Sequence, residues 1–208
     1  SMASTAHFDQ AAAHWDEDPA RRARSAAIAA AIRRNVPLHA GMAMLEYGCG
    51  TATLSFLLSP WVGPITAADT SEGMLAEVRR KVAAAGACAI TPVCLDLATA
   101  PAPTPRFDLV VAALVLHHVA DTRSLLKAFR QVLRPGGWLA LADLCREDGS
   151  FHPDVRVPHC GFDPAVLRTD LEEAGFGAVR WETVYAIHRH GRDYPVFLLT
   201  GRGTPSSP

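Results

Sequence analysis

Short, nearly continuous apolar runs recur along the chain, each followed by a longer stretch in which apolar residues return at helical spacing. Met42–Tyr47, 64–68, Ile90–Leu95, Phe107–Leu116 and Trp138–Ala142 read as strands. Helices lie between them: Thr51–Leu58, a helix capped by Ser71 that runs to about Ala84 before Gly86, and one from Asp121 to Leu133. Upstream, Asp18 and Pro19 open an Ala- and Arg-rich helix to Arg34, preceded by a short helical segment from His7 to Trp15. Residues 143–162 read as a loop rich in His, Pro and Gly, after which Asp163 and Pro164 open a helix that stops at Gly175. Two last strands, about 178–187 and 194–200, stand too close together for a crossover and should form an antiparallel hairpin. The tail Thr204–Pro208 is expected to be disordered.

Strands alternating with helices predict an α/β fold: an open, mostly parallel, doubly wound sheet of seven strands, its last strand antiparallel. At 208 residues and 22.3 kDa the chain makes one domain, 1–208, which buries roughly 70% of its surface on folding. Hydrophobic residues are 49% and charged residues 20%, which excludes a disordered chain. No apolar run is long enough for a membrane span, and Ser1 before Met2 reads as a tag scar with no leader pattern after it. Twenty Lys and Arg balance 21 Asp and Glu for a net charge of −1, so no nucleic-acid-binding field is expected. Five cysteines without a C-x-x-C pair suit reduced thiols and a cytoplasmic protein. Oligomeric state is not written in the sequence.

In sheets of this kind ligands bind beyond the carboxyl ends of the strands, so the residues there carry the chemistry. Glu46, Tyr47, Gly48, Cys49, Gly50 and Thr51 close the first strand: the two glycines allow a sharp turn and close approach by a ligand. Asp69 ends the second strand, spaced to accept both hydroxyls of a ribose, and Asp96 ends the third, where it can accept from an adenine amino group. A dinucleotide fingerprint would need a third glycine where Thr53 stands, and Glu46 would repel a pyrophosphate. Three carboxylates along one track suit a cationic nucleoside, with Glu46 on an ammonium.

The runs Leu45–Thr51, Ala68–Leu75, Phe107–Val111 with Leu116–Val119, and Leu133–Gly137 resemble, in order, the motifs of class I S-adenosylmethionine-dependent methyltransferases. The similarity is greatest to the small-molecule type that includes ubiquinone and menaquinone C-methyltransferases. It covers residues 8–202 and implies a Rossmann-like fold, S-adenosyl-L-methionine as cofactor and a small-molecule methyl acceptor. By position it implies that Gly48, Cys49 and Gly50 line the methionine end and that Asp69, Thr70 and Met74 hold the adenosine. Asp96 and Leu97 would read the adenine, and Ala113 and Leu114 would lie under the sulfonium. Residues 1–40, with Phe8 and Trp15, would form a helical lid. The family usually has glycine where Ala52 stands, and the extra methyl is expected to tighten the pocket.

His117 and His118 follow the fourth strand and are the candidate catalytic bases. In extended backbone they would point to opposite faces, leaving at most one toward the substrate. By the same resemblance His152, His159, Cys160 and Phe162 belong to the acceptor wall. Their spacing frames no zinc motif, so no metal is expected. Arg21, Arg22 and Arg24 read as a solvated helix face, and Met42, Met44 and Trp61 as core. Two rival functions stay open: a non-catalytic module that senses the cofactor or docks a partner, and a nicotinamide-dependent oxidoreductase.

Overall fold

The structure, a computed structural model, describes residues 5–101 and 104–205. Pro103 and the 206–208 part of the expected tail lie outside them. In chain order the elements are α1 (Thr5–Ala11), a 3-10 turn (Ala12–Glu17), α2 (Pro19–Asn35), β1 (Met44–Tyr47), α3 (Thr53–Leu58), β2 (Ile65–Asp69), α4 (Glu72–Ala85) and β3 (Ile90–Cys94). They continue with β4 (Phe107–Ala113), a 3-10 turn (Leu116–His118), α5 (Thr122–Val132), β5 (Leu133–Leu144), α6 (Pro164–Glu173), β6 (Phe176–Arg189) and β7 (Arg192–Gly203).

The capping residues read from the sequence make the expected bonds. Asp18 accepts from the Ala20 N–H, Ser71 from Met74, Asp121 from Ser124 and Asp163 from Ala165. Gly86 ends α4 in the left-handed conformation, φ +63°.

Seven strands form one sheet in the order β3-β2-β1-β4-β5-β7-β6. β1 to β5 are parallel, and β7 runs antiparallel between β5 and β6. The hairpin is thus present, with its second strand inserted next to β5. The chain winds outward from β1 through β2 and β3, then returns to β4 on the other side, which sets the switch point between β1 and β4. Leu109, Val110, Val111 and Ala112 of β4 are all buried, as a central strand covered on both faces requires. Apolar side chains pack in two layers: Met44, Ile65 and Leu109 on one face with α2 to α4, and Leu45, Val110, Leu126 and Phe129 on the other with α5 and α6.

Three expectations are corrected. Met42 and Met44 are core, but Trp61 is 43% exposed with the Arg33 guanidinium 3.7 Å above its ring, a surface stacking pair. Thr204 is tied down, its backbone N–H and hydroxyl both donating to the Gly175 carbonyl. Strand β4 stops at Ala113, because Leu114 takes a left-handed backbone (φ +57°) that breaks the pleat.

Candidate functional site

Beyond β1 the backbone turns left-handed twice, at Gly48 (φ +66°) and Gly50 (φ +55°), and the two glycines serve different ends. A Cβ on Gly48 would stand 2.3 Å from a methyl of Val115, so packing alone requires glycine there. Nothing lies within 4 Å of the corresponding point on Gly50, whose backbone faces open space and can be approached by a ligand. Gly48→Ala is expected to cost about 2–5 kcal/mol, the sum of left-handed strain and overpacking. A Tm equal to the parent's would show that Val115 yields freely.

Ala52, also left-handed (φ +61°), accounts for the glycine usual at that place. Its methyl is buried and does not line the cavity, so the pocket is not tightened as expected; the cost is carried by the backbone instead.

Around this turn lies a cavity lined by Trp15, Glu46, Gly48, Cys49, Gly50, Asp69, Thr70, Met74, Ala113 and Leu114, ten of the thirteen residues expected to meet the cofactor. Asp69 joins the glycine turn to the start of α4: one carboxylate oxygen accepts from the Gly50 N–H at 2.8 Å, the other from Ser71 at 2.9 Å. Thr70 is a third backbone donor to the same carboxylate, whose remaining acceptor capacity can face a diol. Burial raises the Asp69 pKa against those backbone donors. Glu46 is buried on the floor, where one oxygen accepts from the Ser55 N–H (3.0 Å) and hydroxyl (2.7 Å). Burial pushes its pKa up to about 7, so a cationic ligand group would be needed to hold it fully ionised. The Cys49 thiol is held well above its usual range by burial and then by Glu46 and Asp69, which makes it a neutral wall and not a nucleophile.

The N-terminal segment closes this cavity. Asp9 accepts from the Ser71 hydroxyl and the Gly73 N–H, while Asp16 accepts from Thr51 and pairs with Lys81 at 2.9 Å. Phe8 and Trp15 thereby come to line both this cavity and a second one beside it.

Arg24 is the residue that sequence reasoning missed. Arg22 is exposed as expected, but Arg21 stacks on Trp15 at 3.7 Å and Arg24, one turn further along α2, faces the partition between the two cavities. Its guanidinium makes no hydrogen bond or ion pair among the described residues, and burial pushes its pKa down to about 10. A cation so placed is free to meet a carboxylate. The only sequence signal was the i, i+3 spacing of Arg21 and Arg24.

The second cavity has a volume of about 440 Å³. His117 and His118 both line it, contrary to the alternation expected of a strand: they sit in a 3-10 turn, with ring centroids 4.0 Å apart. His152 arrives from the loop after β5, its Nε2 3.4 Å from Nε2 of His117. On its far side His117 Nδ1 lies 2.8 Å from Asp143, a fully buried carboxylate that also accepts from the His117 and Leu144 backbone N–H groups. Burial, then His117 and His152, hold His118 down to about 3; burial, then His117 and Arg189, hold His152 at about 4. Both rings are therefore neutral near pH 7. Arg189, stacked 4.0 Å over Phe151, completes the wall.

Other expected residues stand elsewhere. Tyr47, Asp96 and Leu97 line neither cavity: the Tyr47 hydroxyl accepts from the Leu97 N–H at 3.1 Å, and Asp96 accepts from Ala98. Alternation along β1 explains the split, since Tyr47 points to the face opposite Glu46 and packs on Phe129. His159 contacts the Val119 carbonyl at 3.0 Å, Cys160 is exposed, and Phe162 pairs with Cys145. These three brace the loop behind His117; of the expected acceptor wall, His152 alone is in the cavity.

Residues 45–141 match the family model described as methyltransferase domain. An uncharacterized methyltransferase of Schizosaccharomyces pombe is 29% identical over 60% of this chain and 49% of its own length. A demethylmenaquinone methyltransferase of Listeria monocytogenes is 34% identical over 50% of this chain and 45% of its own. The chain thus spans about half the length of these curated relatives. Among solved structures, Haemonchus contortus phosphoethanolamine N-methyltransferase 2, in complex with phosphomonomethylethanolamine and S-adenosylhomocysteine, superposes with a TM-score of 0.73. The two are 15% identical over 86% of this chain and 52% of that one, a likeness of fold.

Proposed function

We propose, starting from the match of residues 45–141 to a methyltransferase domain and from the class I S-adenosylmethionine-dependent motifs they resemble, that the first cavity binds S-adenosylmethionine and the second a small-molecule methyl acceptor. The single observation that carries this reading is the set of groups that one cavity gathers: the carboxylates of Glu46 and Asp69, the unpaired Arg24 and the open backbone of Gly50. That set suits an amino acid joined to a nucleoside. Glu46 would take the ammonium, Arg24 the carboxylate, and Asp69 the ribose hydroxyls, with Thr70 and Met74 beside the adenosine.

The cofactor supplies an electrophilic methyl group on a sulfonium. The protein's contribution is to orient the acceptor for in-line attack and to exclude water. Ala113 and Leu114 line the place where β4 ends, and Leu114 belongs to both cavities. Phe8 and Trp15 close the roof over both. On the acceptor side His117 and His118 present nitrogen lone pairs, which can take a proton from the acceptor or hold a cation against it.

Calorimetry is expected to give S-adenosylmethionine binding and no NADH binding. Incubation with a host metabolite extract should then release S-adenosylhomocysteine and add a methyl group to one acceptor, read by mass spectrometry. Binding of NADH alone would end the reading, and cofactor binding without turnover on any acceptor would favour a sensing module. Arg24→Gln is expected to weaken cofactor binding about 10-fold, by loss of one charged contact. An unchanged Kd would release Arg24 from the carboxylate.

A further inference from the structure

Three imidazoles converge on the second cavity from two separate stretches of chain. One ring nitrogen from each of His117, His118 and His152 falls within 4.8 Å of the others. The geometry points to a function for them: we propose that these three histidines bind one divalent transition-metal ion of the zinc type, with a further coordination position open to the second cavity. The inference deepens the methyl-transfer reading, on which its use in catalysis rests.

The orientation of the lone pairs carries the argument. A carboxylate has no proton to give, so in the 2.8 Å contact with Asp143 it is Nδ1 of His117 that donates, and Nε2 is the ring nitrogen left toward the cavity. A carboxylate behind a histidine is the arrangement that fixes the tautomer of metal-bound imidazoles. The Nε2 of His152 lies 3.4 Å from that of His117. Metal–nitrogen bonds of about 2.1 Å in a tetrahedron place their nitrogens about 3.4 Å apart. Nδ1 of His118 is buried and has no hydrogen-bond partner among the described residues. All three nitrogens lie within 4.8 Å of one another, so bringing the His118 nitrogen to that spacing takes a shift of at most about 1.4 Å. Arg21, Arg24 and Arg189 also face this cavity and oppose a lone dication, while Asp143 and Glu147 favour it. The balance selects an acceptor that completes the shell as an anion.

That names the acceptor class: a small molecule with a hydroxyl or thiol. On coordination its O–H or S–H proton passes to solvent, because the metal lowers the pKa of what it binds. The ionised oxygen or sulfur then forms its bond to the methyl carbon as the carbon–sulfonium bond breaks. That electron pair stays on sulfur and leaves a neutral thioether. No oxidant or reductant is involved.

The test uses the whole chain, stripped with EDTA and titrated with Zn²⁺ by calorimetry under chelator competition. One ion per chain is expected, with affinity at least about 100-fold lower in His152→Ala and unchanged in His188→Ala, whose exposed ring lies elsewhere. Equal affinity in His152→Ala, loss in His188→Ala, or no binding by the parent would overturn the proposal. Co²⁺ titration of the parent needs no variant to fold: the expected result is a tetrahedral visible absorption band and three paramagnetically shifted imidazole signals, and fewer than three would overturn it. S-adenosylmethionine binding by the stripped protein is measured alongside. If that persists without metal binding, the metal site fails and the cofactor reading stands; the reverse result separates them the other way.

Discussion

Replacing Asp69 with alanine should lower S-adenosylmethionine affinity by about 100-fold or more, the loss expected when two hydroxyls give up a charged acceptor. The same variant should also lose stability. Asp69 is the acceptor for the backbone N–H groups of Gly50 and Ser71, and each donor left unpaired costs about 1–3 kcal/mol. Relief of a buried charge whose pKa is raised by desolvation returns part of that cost. Asp69→Asn separates the two effects, because it keeps the shape and one acceptor while removing the charge. Calorimetry with the cofactor and thermal melts of both variants are the measurements. Undiminished affinity in Asp69→Ala would remove this residue from the site.

Glu46→Gln should move binding and stability in opposite directions. Glutamine can still accept from both Ser55 donors through its oxygen, so the local fold is kept. What disappears is the negative charge that would meet the ammonium, and affinity should fall about 10- to 100-fold. The parent carries a stability penalty that follows from its pKa of about 7, raised by burial above the usual 4.5. Between those values the unfolded chain is ionised while the folded one keeps the proton. Folding stability from this group is therefore fully present below about pH 4.5 and is lost as pH rises through 7. The variant should melt higher than the parent at pH 8, and the gap should close toward pH 4.5. Cofactor affinity of the parent should rise several-fold from pH 6 to 7.5 as Glu46 ionises, and stay flat in the variant. A parent whose melting and binding were both flat across that range would show that Glu46 is ionised throughout, contrary to its burial.

A buried acid that weakens the fold and strengthens binding is how a site differs from a core position. Along the floor, Glu46 and Asp69 both have pKa values raised by burial, and the Asp69 charge adds to the rise at Glu46. A cationic ligand relieves that strain, which links binding directly to stability.

Amino-acid order alone determined the elements that depend on near neighbours. Ser71, Asp121 and Asp163 announce their helices because a cap bonds a backbone group two or three residues on. Gly48 and Gly50, with an acid at the end of the next strand, could be expected to meet at one cavity because turn, helix and strand follow one another without a gap. Tertiary structure decided what the neighbours do not encode. One left-handed residue, Leu114, turns the following histidines out of the strand pattern, so that both face one cavity. Asp143, 26 residues from His117, becomes its partner because β4 and β5 lie side by side in register, Ala113 opposite Ala142. His152 joins them only through the path of a loop, and Arg24 leaves the solvated face because α2 packs over the strand ends. Periodicity specifies which side of an element is buried; it carries no information about which distant element will cover that side, and the histidine cluster is made of such meetings.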